Sequence, residues 1–141
     1  MELAVTNDSA GDIVREIIEC AWNLGELEVI DRRIATSFVR HTSRGDLVGP
    51  QVFKDRIWAV RAAFDGFHTQ IHDIGGRQDQ AYCRYSVSGR HTGTFLGFEP
   101  TGRDVEFDGA VIAHSLADQL IEEWEYVDAA LLAAQLGAHQ P

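Results

Sequence analysis

Residues 81–103, AYCRYSVSGRHTGTFLGFEPTGR, decide the architecture of this chain. In the first half, Cys83, Tyr85, Val87, Gly89 and His91 fall on one parity, and Arg84, Ser86, Ser88 and Arg90 on the other. Such alternation marks a β-strand with one face buried. Gly93, Gly97, Pro100 and Gly102 then punctuate a long reversal that closes on a Pro100-Thr101-Gly102 turn, and a second alternating run opens at Val105. The stretch predicts a strand, an extended loop and a returning strand, with His91 on the apolar parity.

Upstream, His68 to Ile74 reads as a strand and Gly75 to Gln80 as the polar turn of a hairpin. Before that the period lengthens. Pro50, suited to a first helical position because its missing amide would be unpaired there, opens a helix in which Phe53, Ile57, Val60 and Phe64 form a stripe. Two more helices are expected ahead of it. The first starts at a Ser9/Asp12 capping box and carries Ile13, Val14, Ile17, Ile18, Ala21 and Trp22 on a broad apolar face. The second runs through Leu27, Ile30 and Ile34 and ends near Thr36, after which Phe38 to His41 is extended and Thr42 to Gly49 is a loop. Downstream, Val105 to Leu116 is a strand, Ala117-Asp118-Gln119 a turn, Leu120 to Asp128 the last strand and Ala129 to Leu136 a helical tail. Three helices followed by a meander of antiparallel strands define an α+β layout, with helices on one face of a curved sheet.

A length of 141 residues corresponds to one domain, 1–141, with Met1 to Ala10 polar and loose. The net charge of −10 and the scattered basic residues leave no footprint for a nucleic acid or an anionic membrane surface. No apolar run approaches the ~20 residues that span a bilayer. Cys20 and Cys83 fall inside a predicted helix and strand and read as buried thiols, and a cytoplasmic protein is expected. His-x-His, Glu-x-x-His and Cys-x-x-Cys pairs are absent, so no metal is predicted. Neither a Gly-x-Ser-x-Gly elbow nor a phosphate-binding glycine loop ahead of a helix occurs, which leaves nucleophilic-serine, nicotinamide and flavin chemistry without support.

The run Gly89-Arg90-His91-Thr92-Gly93-Thr94-Phe95, followed by Pro100-Thr101-Gly102-Arg103, resembles the hallmark segment of the SnoaL-like family of polyketide cyclases, within the nuclear-transport-factor-2-like superfamily. Ala62-Ala63-Phe64, Glu123-Trp124 and the tail from Asp128 to Gln135-Leu136-Gly137 fit the same family. The resemblance implies a cone of three N-terminal helices packed on a curved antiparallel sheet. It also implies a cofactor-independent enzyme that removes a proton α to a carbonyl of an aromatic or polyketide-like substrate and closes a ring by aldol attack. Because the superfamily reuses its pocket, isomerisation, dehydration or hydroxylation in the same cone is a close alternative. A non-catalytic module for small-molecule binding or dimerisation is another.

Candidate residues follow from parity and from the resemblance. On the last strand Ile121, Glu123, Glu125 and Val127 share one face and Glu122, Trp124, Tyr126 and Asp128 the other. Glu125 stands where the resemblance puts the acid/base carboxylate, and burial in an apolar cavity would raise its pKa toward neutrality. The alternative is that both glutamates are solvated on the outer face. The resemblance also expects a histidine on the preceding strand, where this chain has Val111, with His114 offset by three residues and on the other parity unless a bulge intervenes.

His91 and His41 are therefore the candidates to polarise a carbonyl. His91 is equally a structural imidazole holding the long loop, and His41 precedes a loop that could act as a lid. Trp22, Trp58, Tyr85 and Phe95, with Glu123 and His114, are candidate substrate contacts, the aromatic residues being alternatively plain core. The resemblance favours Trp22, at a pocket-lining position near the end of the first helix. His68 and His72 read as surface residues. The aromatic outer parity of the last strand, Trp124 and Tyr126, suggests a homodimer.

Overall fold

In the computed structural model, residues 8–137 are described. The looseness expected at the N-terminus concerns, for residues 1–7, a segment outside the described residues. Ala10 itself is fully buried and begins α1 (Ala10–Glu16). Ser9 caps this helix: its hydroxyl accepts from the Asp12 amide at 3.1 Å, and the Asp12 carboxylate accepts from the Ser9 amide at 3.0 Å. The helix continues as a π-helical stretch, Ile17–Trp22, whose wider spacing is seen in the Asn23 amide bonding to the Ile18 carbonyl. Then come α2 (Glu28–Arg33), β1 (Ile34–Thr42), β2 (Gly45–Val48), α3 (Pro50–Ala63), β3 (Phe64–Arg77), β4 (Gln80–His91), β5 (Asp104–Leu116), β6 (Gln119–Val127) and α4 (Ala129–Gln135).

The strands form one six-stranded sheet in the order β2-β1-β6-β5-β4-β3. The expected meander is present from β3 to β6. The sheet is not wholly antiparallel, because β1 docks on β6 in parallel and so joins the helical half of the chain to the end of the meander. Register shifts in the β3–β4, β5–β6 and β1–β6 pairs supply local bends that help the sheet curve round the helices. Inside that curve Ile13, Ile30, Ile34, Phe38, Phe53, Ile57 and Leu120 are fully buried.

Four boundaries differ from the sequence reading. Phe64, expected on the stripe of the third helix, opens β3 instead, four residues ahead of the strand start expected at His68, and pairs with His91. Ile34 belongs to β1 rather than to the second helix, since its β-branched side chain is buried at the start of an extended segment paired with Leu120. The expected loop Thr42 to Gly49 contains β2, because the Thr42 hydroxyl bonds the Gly45 carbonyl and the Arg44 amide and tightens the chain into a hairpin. The turn expected at Gly75 to Gln80 shrinks to Gln78 and Asp79. Gly75 and Gly76 stay paired with Tyr82 and Ala81, and the missing side chain at Gly75 makes room for the Tyr82 ring, which a Cβ there would meet at 2.8 Å.

Candidate functional site

The π-helical stretch, α3 and the concave faces of β1, β4, β5 and β6 enclose a cavity of about 180 Å³. The loop 92–103 contributes Phe95, Leu96 and Phe98, and α4 contributes Leu132, to its lining. Most of the wall is apolar, as expected of a small-molecule site with a few convergent polar groups.

Those polar groups meet where β1 lies beside β6. Arg40 is the register partner of Glu123, and its Nε donates to Glu123 Oε1 at 2.7 Å while Nη1 donates to Glu125 Oε2 at 3.1 Å. Arg40 is 3% exposed and Glu123 5%. The guanidinium sits 5.0 Å from the Phe53 ring centroid and 5.8 Å from that of Trp22, so it is held between aromatic faces and carboxylates. Burial opposes its charge, but Glu123 and Glu125 outweigh that and hold Arg40 above its ordinary pKa. Burial pushes Glu123 upward, against the pull of Arg40. Glu125 lines the cavity, and its second oxygen, Oε1, has no hydrogen-bond partner among the described residues.

Tyr85 completes the polar cluster. Its ring lies over Gly109, its register partner on β5, where an added Cβ would stand 2.8 Å from the phenolic oxygen. Burial holds the phenol well above its ordinary pKa, with Arg40 pulling the other way, so Tyr85 remains a hydrogen-bond donor. Val111 lies in register with Glu125 and lines the cavity with a side chain that carries no proton.

The sequence candidates are divided between two faces. Glu123, Glu125, Trp22, Tyr85 and Phe95 all line the cavity. His41 stacks on Trp124 at a centroid distance of 5.2 Å and His114 meets it edge-on at 5.1 Å, both on the opposite face of the sheet. His41 also bonds Glu122 at 2.7 Å and Asp46 at 2.9 Å. The β5–β6 register shift falls just past His114 and leaves it paired with Glu122. Trp58 is 67% exposed on α3 and is not among the lining residues.

His91 is fully buried at the base of the long loop. Its Nδ1 accepts from the Thr101 amide at 3.2 Å, its amide bonds the Arg103 carbonyl and its carbonyl accepts from the Gly102 amide. His91 packs against Phe64, and its Nε2 has no partner among the described residues. Arg40 was missing from the sequence candidates although a signal existed: it shares the parity of the buried Phe38, and a charged residue on an apolar parity implies a buried counter-charge.

Cys20 and Cys83 are unbridged; Cys83 is buried as expected, whereas Cys20 is only partly buried. Burial pushes the Cys83 thiol up to about 11. No three-residue His/Cys/Asp/Glu cluster suited to a metal occurs among the described residues, and no helix among them is long and apolar enough to cross a membrane.

The molecule is thus a cone-like α+β fold whose polar residues converge on an apolar cavity. The chain matches the SnoaL-like polyketide cyclase family over residues 12–136, and it belongs to that family. Among solved structures it is similar to a candidate SnoaL-like polyketide cyclase from Jannaschia sp. CCS1, with a TM-score of 0.85 and 15% identity over 99% of this chain and 100% of that one. It is similar to IdmH, a candidate polyketide cyclase from Streptomyces antibioticus, with a TM-score of 0.77 and 26% identity over 89% of this chain and 96% of that one. AclR, a candidate hydroxylase from Streptomyces galilaeus, gives a TM-score of 0.79 and 20% identity over 91% and 95% of the two chains. No curated protein matches the sequence.

Proposed function

We propose that this chain is a cofactor-independent acid/base enzyme acting on an aromatic or polyketide-like carbonyl compound, with Glu125 as the proton-transferring group. The observation that carries the reading is one carboxylate with one oxygen fixed by Arg40 at 3.1 Å and the other unpaired beside an apolar cavity. In the reaction proposed, Glu125 takes a proton from the carbon α to a carbonyl, and negative charge gathers on the carbonyl oxygen. Arg40 and the Tyr85 hydroxyl, both donors in a largely dry site, favour that charge. The enolate carbon then attacks a second carbonyl of the same molecule, forming the ring bond, and the alkoxide takes up a proton. Isomerisation needs only that the proton return at another carbon. His91 and His41 were the sequence candidates for the carbonyl-polarising role; neither lines the cavity, so Tyr85 and Arg40 take it here.

The test is a thermal-shift screen of polycyclic aromatic and polyketide-like ketones on the wild type and on Glu125→Gln, followed by mass spectrometry of incubated hits. Ligands should stabilise both proteins, and Glu125→Gln should lose at least about 10²-fold in turnover. Hits that bind both forms while neither converts them would favour a second reading, a small-molecule binding module. Val111, standing opposite Glu125 where the family resemblance expects a histidine, is the observation on that side. We further propose a homodimer formed through the outer sheet face, where Tyr82, Ile112 and Tyr126 are exposed around Trp124.

A further inference from the structure

The chain has 12 Lys and Arg side chains against 22 Asp and Glu, so acceptors for basic groups are plentiful. Among the described residues, ten of those 12 bond a carboxylate or a backbone carbonyl. The two that bond neither are Arg44, in the turn between β1 and β2, and Arg56, on α3, and both line the cavity. They converge from different elements: Arg56 is half-buried, and burial, together with repulsion from Arg44 and Arg40, lowers its pKa against the pull of Glu125. Three guanidiniums, Arg40, Arg44 and Arg56, thus face two carboxylates, Glu123 and Glu125, giving the cavity a net positive charge in a chain of net charge −10.

A half-buried guanidinium whose N–H donors meet no acceptor among the described residues is an incomplete arrangement, and a planar oxyanion completes it best. The same cavity is lined by Phe53, Phe64, Phe67, Phe95 and Phe107, aromatic walls for a flat apolar body. We infer that Arg44 and Arg56 form an anion-recognition subsite of this cavity, so that the substrate is an acid: an apolar, ring-sized body carrying a carboxylate. This rests on the cavity being the substrate site proposed above. The carboxylate lies against the two arginines and leaves the ketone end of the molecule for Glu125. A phosphate ester is the less suitable anion, because the subsite offers guanidinium forks and no run of backbone amides.

Isothermal titration with 2-naphthoate, its uncharged amide 2-naphthamide and 2-naphthyl phosphate tests this without turnover. The wild type is expected to bind 2-naphthoate at least about tenfold more tightly than the amide, the preference shrinking as salt is raised. The Arg44→Gln/Arg56→Gln double variant should bind both within about twofold at an unchanged affinity for the amide, and Arg56→Lys should keep part of the preference. Equal binding of acid and amide by the wild type, failure of 2-naphthoate to bind, a preference that survives in the double variant, or tighter binding of the phosphate would each overturn the assignment. Because the readout is binding, it can fail while Glu125→Gln still abolishes turnover, and it can hold if Glu125 proves inert.

Discussion

Arg40 occupies the buried parity of Phe38 on β1, a position where a guanidinium without counter-charges would be very costly. Two carboxylates make it tolerable, and the three groups depend on one another. Replacing Arg40 with Met keeps the volume but leaves Glu123 and Glu125 side by side in a dry wall. The expected loss is about 3–5 kcal/mol at neutral pH, measured by urea unfolding. Its pH dependence has a definite sign. The folded-state pKa of Glu123 is already raised by burial, so its ionisation weakens folding as pH rises above the ordinary carboxyl value. Without Arg40 that window extends further upward. The deficit of Arg40→Met should therefore be greatest at neutral pH and shrink as pH falls and Glu123 takes up a proton. A deficit that grew on acidification would show that the arginine is not the carboxylates' principal support.

At the scale of elements, two separated sequence hallmarks turn out to be one contact. The Ala63 carbonyl accepts from the amides of Thr92 and Gly93, Phe64 pairs with His91, and a Cβ on Gly93 would stand 2.9 Å from the Ala62 carbonyl. The motif ties the end of α3 to the start of the long loop, and this explains why its glycine and histidine sit together. His91→Phe keeps the ring against Phe64 and removes both the Nδ1 acceptor and the unpaired Nε2. Hydrogen exchange at the Thr101 amide should accelerate about fivefold, the equivalent of roughly 1 kcal/mol, while the melting temperature holds or rises. A collapse in melting temperature would mean that the imidazole does more than hold this loop. Periodicity revealed most of these elements, since alternation in β4 and β6 and the helical stripes of α1 and α3 are set by which side chains are buried. It missed β2 and the length of β3, which depend on hydrogen bonds and on a glycine accommodating a tyrosine across the hairpin. For the site, parity brought Glu123, Glu125 and Tyr85 to one face. It could not reveal Arg40 as their partner, because the parallel docking of β1 on β6 joins residues 83 positions apart.

For the whole molecule, the sheet has two unlike faces. The concave side holds the core and the cavity. The other presents Tyr82, Ile112 and Tyr126 at 52%, 38% and 58% exposure on adjacent strands, with Trp124 flanked by His41 and His114. Large aromatic residues contiguous on an open sheet face are costly to leave in water and are typical of protein interfaces. The pairing of His41 with Glu122 and Asp46 raises its pKa, so the stabilisation from this pairing is present below the ordinary histidine value and is lost as pH rises through the raised one. Urea unfolding of the chain should therefore show a small loss of stability on the alkaline side, as the imidazole loses its charge. Trp124→Arg puts a guanidinium between two imidazoles at the centre of the patch, where self-association would bring it against its own copy. Light scattering across a concentration series should show the wild type at twice the monomer mass and the variant as a monomer with its helical circular dichroism intact. A wild type that stays monomeric at every concentration, or a variant that elutes and melts unchanged, would rule this face out as the place where two copies meet.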